Sequence, residues 1–145
     1  MSRLARLLFW GYVLLLVVAG LWGALFAARD VRLISGLDPG RLPVEQGAAL
    51  LSQYRFLRAL ELGFGIFAIA YRDQVFAMRA VNVAFLTVMG LGIAARVLGF
   101  VVEGSPSAPM VFFAAYEAVA IVVIAVATRP ARSRTEARSS PSAVR

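Results

Sequence analysis

Apolar residues along the chain fall into four long runs separated by short polar stretches. A helix needs about 20 mostly apolar residues to cross roughly 30 Å of hydrocarbon. The first run, Leu7 to Ala28, contains no charge. Arg3 and Arg6 precede it as in a signal peptide, but the run is too long for an h-region and no small-x-small cleavage site follows. It is read as a span. The second run covers Tyr54 to Tyr71 and could start near Ala48. The third covers Ala77 to Val102, and the fourth Pro109 to Thr128. Residues 44–53, "VEQGAALLSQ", either form an amphipathic surface helix or extend the second span.

The linkers carry turn chemistry. "SGLDPGRLP" (35–43) holds an Asp-Pro-Gly turn and a second Pro. "YRDQ" (71–74) reads as a tight polar corner, and "EGSPSAP" (103–109) as a turn that opens the next helix. From Arg129 onward the chain is rich in Arg, Ser and Pro, a composition that predicts disorder. The expected organisation is an all-α, four-transmembrane-helix bundle over residues 1–129 followed by a disordered basic tail, 130–145.

Composition supports the bilayer. Hydrophobic residues make up 61% of 145, with mean hydropathy +0.79. A soluble domain this small cannot hide that much apolar surface. The net charge of +7 could point to nucleic acid, but its distribution gives another address. Four spans place both termini and the 72–79 corner on one side. That side holds nine arginines against Asp73 and Glu136, a surplus of seven, while the opposite loops and the spans each balance. The positive-inside rule makes the basic side cytoplasmic. The tail then anchors topology and touches anionic headgroups, and nucleic acid is not expected as a partner.

The chain has no Cys, His or Lys. Thiol chemistry, disulfides, imidazole or thiolate metal sites, Ser-His nucleophiles and lysine Schiff bases are all excluded. No cofactor is expected. Carboxylates, arginines, tyrosines, hydroxyls and Asn82 remain to carry any function.

Those charges have a common depth. Glu61, Arg96 and Glu117 each lie roughly 9 to 12 Å inside the outer boundary at 1.5 Å rise per residue. Arg58 is one turn above Glu61, and Glu103 is at the rim. Tyr54, Arg58, Glu61, Gly65 and Ala68 share one helical face. Asn82, Phe85, Met89, Gly92, Arg96, Gly99 and Glu103 form a second stripe, and Met110, Ala114, Glu117, Ile121 and Ile124 a third. Gly20 and Gly23 add a close-packing patch on the first span. An intramembrane charge costs roughly 2.5 to 3.5 kcal/mol even on the gentle insertion scale. The charges are therefore expected to face inward as one polar knot of Arg58, Glu61, Arg96 and Glu117, with Arg55 snorkelling to headgroups. Asn82 is expected to bond between helices. Tyr54, Tyr71, Trp10 and Tyr12 are expected in an aromatic belt. Gly63, Gly65, Gly90 and Gly92 are expected to serve packing.

The runs "QYRFLRALELGFGIFAIAYRDQ" and "GLGIAARVLGFVVEGSPSAPMVFFAAYEAVAIVVIAVATR" resemble a bacterial family of small four-span membrane proteins catalogued as a domain of unknown function. The matching features are Arg55 or Arg58 followed by Gly63 and Gly65, Arg96, the Gly104–Pro106 turn and Glu117. The resemblance covers roughly residues 10 to 129, implies an inner-membrane four-helix protein, and implies no activity.

Three function classes stay open. The first is a non-enzymatic accessory subunit, in which the cluster of Arg58, Glu61, Arg96, Glu117, Glu103, Asn82 and Tyr54 is structural and specifies helix pairing, or a binder of a lipid-like ligand whose acidic head meets Arg58 and Arg96. The second is a small proton-coupled transporter using Glu61 or Glu117. The third is a membrane enzyme with a glutamate acid/base. Small multidrug exporters also have four spans, but they carry an essential glutamate in span one, which is uncharged here. Membrane lipids are the expected partners, with a homo-oligomer or a larger membrane complex as further possibilities.

Overall fold

A computed structural model describes residues 3–104 and 106–128. The predicted tail from Arg129 lies outside the described residues. The described chain is all-helical, with no strand among the described residues. The long helices are α1 (Arg3–Leu25), α3 (Val44–Ala70), α5 (Arg79–Val102) and α6 (Ala108–Thr128). Two short ones join them: α2 (Ala27–Ser35) after α1, and α4 (Arg72–Ala77) before α5. A single 3-10 turn, Pro39–Arg41, sits in the α2–α3 linker.

Among the described residues three helices are long and apolar enough to cross a membrane: α1, α5 and α6. Helix α3 spans 27 residues, but Arg55, Arg58 and Glu61 interrupt its apolar run. It takes in residues 44–53, so that stretch extends the helix rather than standing alone. The "YRDQ" corner is the start of α4 rather than a bare turn. The expected first run, 7–28, is instead split: α1 begins four residues earlier and stops at Leu25, and Phe26 breaks the helical path with φ −115° and ψ 39°.

Local chemistry accounts for the joints. Gly36 ends α2 in the left-handed region, φ 72°, where a side chain would be strained, and its N–H returns to the Arg32 carbonyl. Asp38 accepts from the Gly40 N–H at 3.1 Å and so caps the 3-10 turn. Pro43 precedes α3, where its fixed φ suits a helix start.

Helix α1 is the hub, packed along α3 on one side and α6 on the other, and α5 packs on α6. Two glycines let α1 and α3 approach. A Cβ on Gly20 would lie 2.7 Å from the Leu62 amide nitrogen and 2.9 Å from the Arg58 carbonyl oxygen. A Cβ on Gly65 would lie 2.8 Å from Val17 Cγ2. In lipid, where tails are as apolar as side chains, such close contact rather than hydrophobic exclusion holds helices together. By contrast Gly63 and Gly92 face open space, so packing does not explain them.

The apolar core sits at the end where α1 begins. Phe9, Tyr12, Val13, Leu16, Ala68, Val75, Phe85, Met89, Ala120 and Ile124 are buried together there. Phe85 of α5 is its centre: its ring lies 5.5 Å from Phe9, 5.4 Å from Phe64 and 6.3 Å from Tyr12. Tyr12 is thus a core residue, contrary to its expected place in an interfacial belt, because α1 starts at Arg3 and carries Tyr12 inward beneath Phe85. Trp10 and Tyr71 are exposed. Toward the opposite end the stripe on α5 emerges: Phe85 and Met89 are buried, Gly92 is exposed, and Arg96 is half-buried. The charges lie in that looser half.

Candidate functional site

Arg58, Glu61, Arg96 and Glu117, expected from sequence as one knot, fall into two groups, each built on a different pair of helices. The first is anchored on α3. Tyr54, Arg58 and Glu61 are spaced four and three apart, so they line one helical face. Arg58 donates from Nη1 to Glu61 Oε2 at 2.7 Å. Its Nε and Nη2 donate to the Tyr54 hydroxyl at 3.1 and 2.6 Å, with the guanidinium 5.0 Å from the Tyr54 ring centre. The third partner comes from α2: Arg58 Nη2 lies 2.9 Å from Asp30 Oδ2, and the Tyr54 hydroxyl donates to that same oxygen at 2.7 Å. Every nitrogen of this guanidinium is engaged, and its side chain is only 12% exposed. Gly23 makes the space. A Cβ there would come within 2.5 Å of Arg58 Cγ and 2.6 Å of Asp30 Oδ2.

The second group joins α5 to α6. Arg96 donates from Nε to Glu117 Oε2 at 3.0 Å and from Nη2 to Glu117 Oε1 at 3.3 Å. This is the fork-to-carboxylate geometry that makes arginine pairs directional. Glu117 is buried, whereas the Arg96 side chain is 27% exposed. Among the described residues nothing accepts from Arg96 Nη1. Arg96 lines a recess of about 310 Å³ between the end of α5 and the start of α6, together with Gly99, Phe100, Glu103, Pro106 and Met110.

The single knot expected from sequence is therefore two groups. Among the described residues no hydrogen bond or ion pair joins them. The physical reason is Asp30. A second carboxylate satisfies Arg58 locally, so α3 needs no charge from α5 or α6.

The other expected residues separate. Tyr54 is a hydrogen-bond hub rather than a belt residue. Asn82 joins neither group and bonds between helices: it donates to the Val75 carbonyl at 2.9 Å and accepts from the Thr128 hydroxyl at 3.3 Å. It links α4, α5 and α6 near the core end. Glu103 shares the recess with Arg96 but makes no ion pair among the described residues. Arg55 is exposed on the outer side of α3.

Asp30 is the site residue that sequence reasoning missed, because it was counted as part of a neutral loop. The signal was present in "AARDVRLIS": Ala27, Asp30, Val31 and Ile34 recur at helical spacing while Arg29, Arg32 and Leu33 face out. The burial bears this out, with Ala27, Asp30 and Val31 all buried. A carboxylate on the apolar side of an amphipathic helix calls for a buried cation. A further tie holds the outer segments together, since the Ser107 hydroxyl donates to the Ile34 carbonyl at 2.6 Å.

Long apolar helices with inward-turned ion pairs define a helical protein compatible with a membrane. The chain belongs to the family described as Domain of unknown function (DUF4345), which matches residues 4–128. Among curated proteins and solved structures, none matches it.

Proposed function

We propose that this chain is a four-span protein of a bacterial cytoplasmic membrane, both termini inside, that binds a lipid-like ligand with an acidic head through Arg96. The carrying observation is the contrast between the two arginines. Arg58 has spent every nitrogen on protein partners. Arg96 is oriented by Glu117, keeps Nη1 without a protein acceptor among the described residues, and lines a recess. A fork held rigidly on one side and free on the other is pre-organised to receive a phosphate or carboxylate. Arg58, expected from sequence to share this role, is enclosed and serves as the lock between α1, α2 and α3.

The fourth span is α3. At 27 residues it extends about 40 Å, enough to cross. Arg58 and Glu61 are neutralised inward, and Arg55 is placed to snorkel. The one-sided arginine surplus orients the chain.

Native mass spectrometry of the gently extracted protein tests the reading. The wild type should carry a defined amphiphile whose head bears a phosphate or carboxylate, and Arg96→Gln should release it. Exchanging the pair, Arg96→Glu with Glu117→Arg, should restore stability lost in either single change but not the ligand. An empty wild-type protein, or an Arg96→Gln protein that still carries its ligand, overturns the proposal.

One observation favours a second reading, a proton-coupled transporter. Asp30 and Glu61 face a single arginine, leaving one negative charge uncompensated in the α3 group. Glu61 Oε1 takes no bond among the described residues. Under that reading Glu61→Gln abolishes pH-dependent flux in vesicles without lowering yield. Unchanged flux excludes it.

A further inference from the structure

The recess beside Arg96 contains a second charge that the binding reading leaves unused. Glu103 closes α5, is exposed, and has no ion-pair partner among the described residues. Side chains on a helix lean toward its N-terminus, which for α5 is back down toward Arg96. The structure bears this out: a Cβ built on Gly99 would lie 3.1 Å from Glu103 Oε2. The carboxylate therefore sits at the height of Gly99, about 4.5 Å of helical rise above Arg96. Gly99 itself presents no side chain between the two charged groups.

We propose that the recess selects a zwitterionic head, with its phosphate on the open edge of Arg96 and its ammonium on Glu103. This rests on the binding reading above and names the ligand class of the same site. An anionic head alone would meet Arg96 but would place a second anion beneath an unpaired carboxylate, where like charges repel. An ammonium one short linker from the phosphate removes that repulsion and gives Glu103 its counter-ion. Phe100, Pro106 and Met110 complete the lining with apolar surface, suited to the carbon skeleton next to a head rather than to more charge. The volume, about 310 Å³, matches a head group rather than a whole lipid, whose tails would lie along the exposed face of α5.

The test is a competition. The full chain, stripped of lipid in detergent, is offered equal amounts of phosphatidylethanolamine and phosphatidylglycerol with matched acyl chains. The two share the phosphate and differ in the ammonium. Bound populations are read by native mass spectrometry. The wild type should favour the ethanolamine head by about two- to fivefold, the range an exposed ion pair supports. Glu103→Gln should bind both lipids equally. Gly99→Leu, which fills the recess and leaves the Arg96–Glu117 pair intact, should lower both. If the wild type shows no preference, or Glu103→Gln keeps it, the zwitterion inference is overturned while the Arg96 reading stands. If Arg96→Gln binds as the wild type does, the two readings fall together, and if Gly99→Leu alone does so, the recess is not where the head sits and the zwitterion inference falls.

Discussion

Arg58 and Arg96 share a residue type and each pairs with a glutamate, yet they end in opposite states. Arg58 is surrounded: two carboxylates and a phenol take all of its nitrogens, and a glycine on the neighbouring helix makes room for its stem. Arg96 is held by one carboxylate, keeps Nη1 without a protein acceptor among the described residues, and lines a recess. The lesson is that a charge in a lipid-facing protein is not read from its presence alone. What separates a lock from a binding group is how many of its donors the protein has already used.

The sharpest way to break that comparison is to remove the lock. Arg58→Ala leaves Asp30 and Glu61 facing each other without a cation. Breaking a buried pair in this way costs about 3–5 kcal/mol, so thermal unfolding in detergent should show the largest loss of the series. An unfolding temperature near the wild type would show that Arg58 is not a lock. Next comes Gly23→Leu, which drives a side chain into Arg58 and Asp30. Overpacking of this kind costs about 1–3 kcal/mol, measured by the same transition. Tyr54→Phe deletes the hydroxyl that donates to Asp30 and accepts from Arg58. Hydrogen bonds to charged groups contribute about 1.5–3 kcal/mol, and the lower end is expected here because the Asp30–Arg58 contact survives. Glu103→Gln is the smallest. A partnerless rim carboxylate should change stability by less than about 0.5 kcal/mol while altering lipid selection. A large stability loss there would mean that Glu103 supports the fold instead of the recess.

Much of this arrangement was legible beforehand, and the reasons differ by residue. Arg96 and Glu117 were readable as partners because each is the lone charge in a long apolar run, at matching depth, on the face that also carries small or buried residues. In hydrocarbon such residues have few alternatives. The approach at Gly20 was readable for the same reason: close helix contact in lipid needs small side chains. Asp30 was not readable from depth, since it lies past the end of α1 and the break at Phe26 is invisible in the hydropathy. Only the alternation within α2 betrayed it. Tyr12 was misplaced because its distance from the chain start was mistaken for its distance from the membrane boundary. The true start of α1 at Arg3 puts it nine residues into the helix, roughly 14 Å along its axis. The separation into two groups was beyond periodicity altogether, for periodicity says which face a charge occupies but not which neighbour answers it.

The bend at Phe26 has a consequence for how the chain can vary. It turns the backbone so that the first turn of α2 returns an aspartate to Arg58 on α3. Each residue on a helix advances the side-chain direction by about 100°. One residue inserted or removed between Leu25 and Asp30 would swing the carboxylate away from the guanidinium and bring Arg29 or Val31 round in its place. The spacing across that elbow is thus as constrained as the identity of the acid it delivers, and drift in length should collect in the 35–43 linker beyond it.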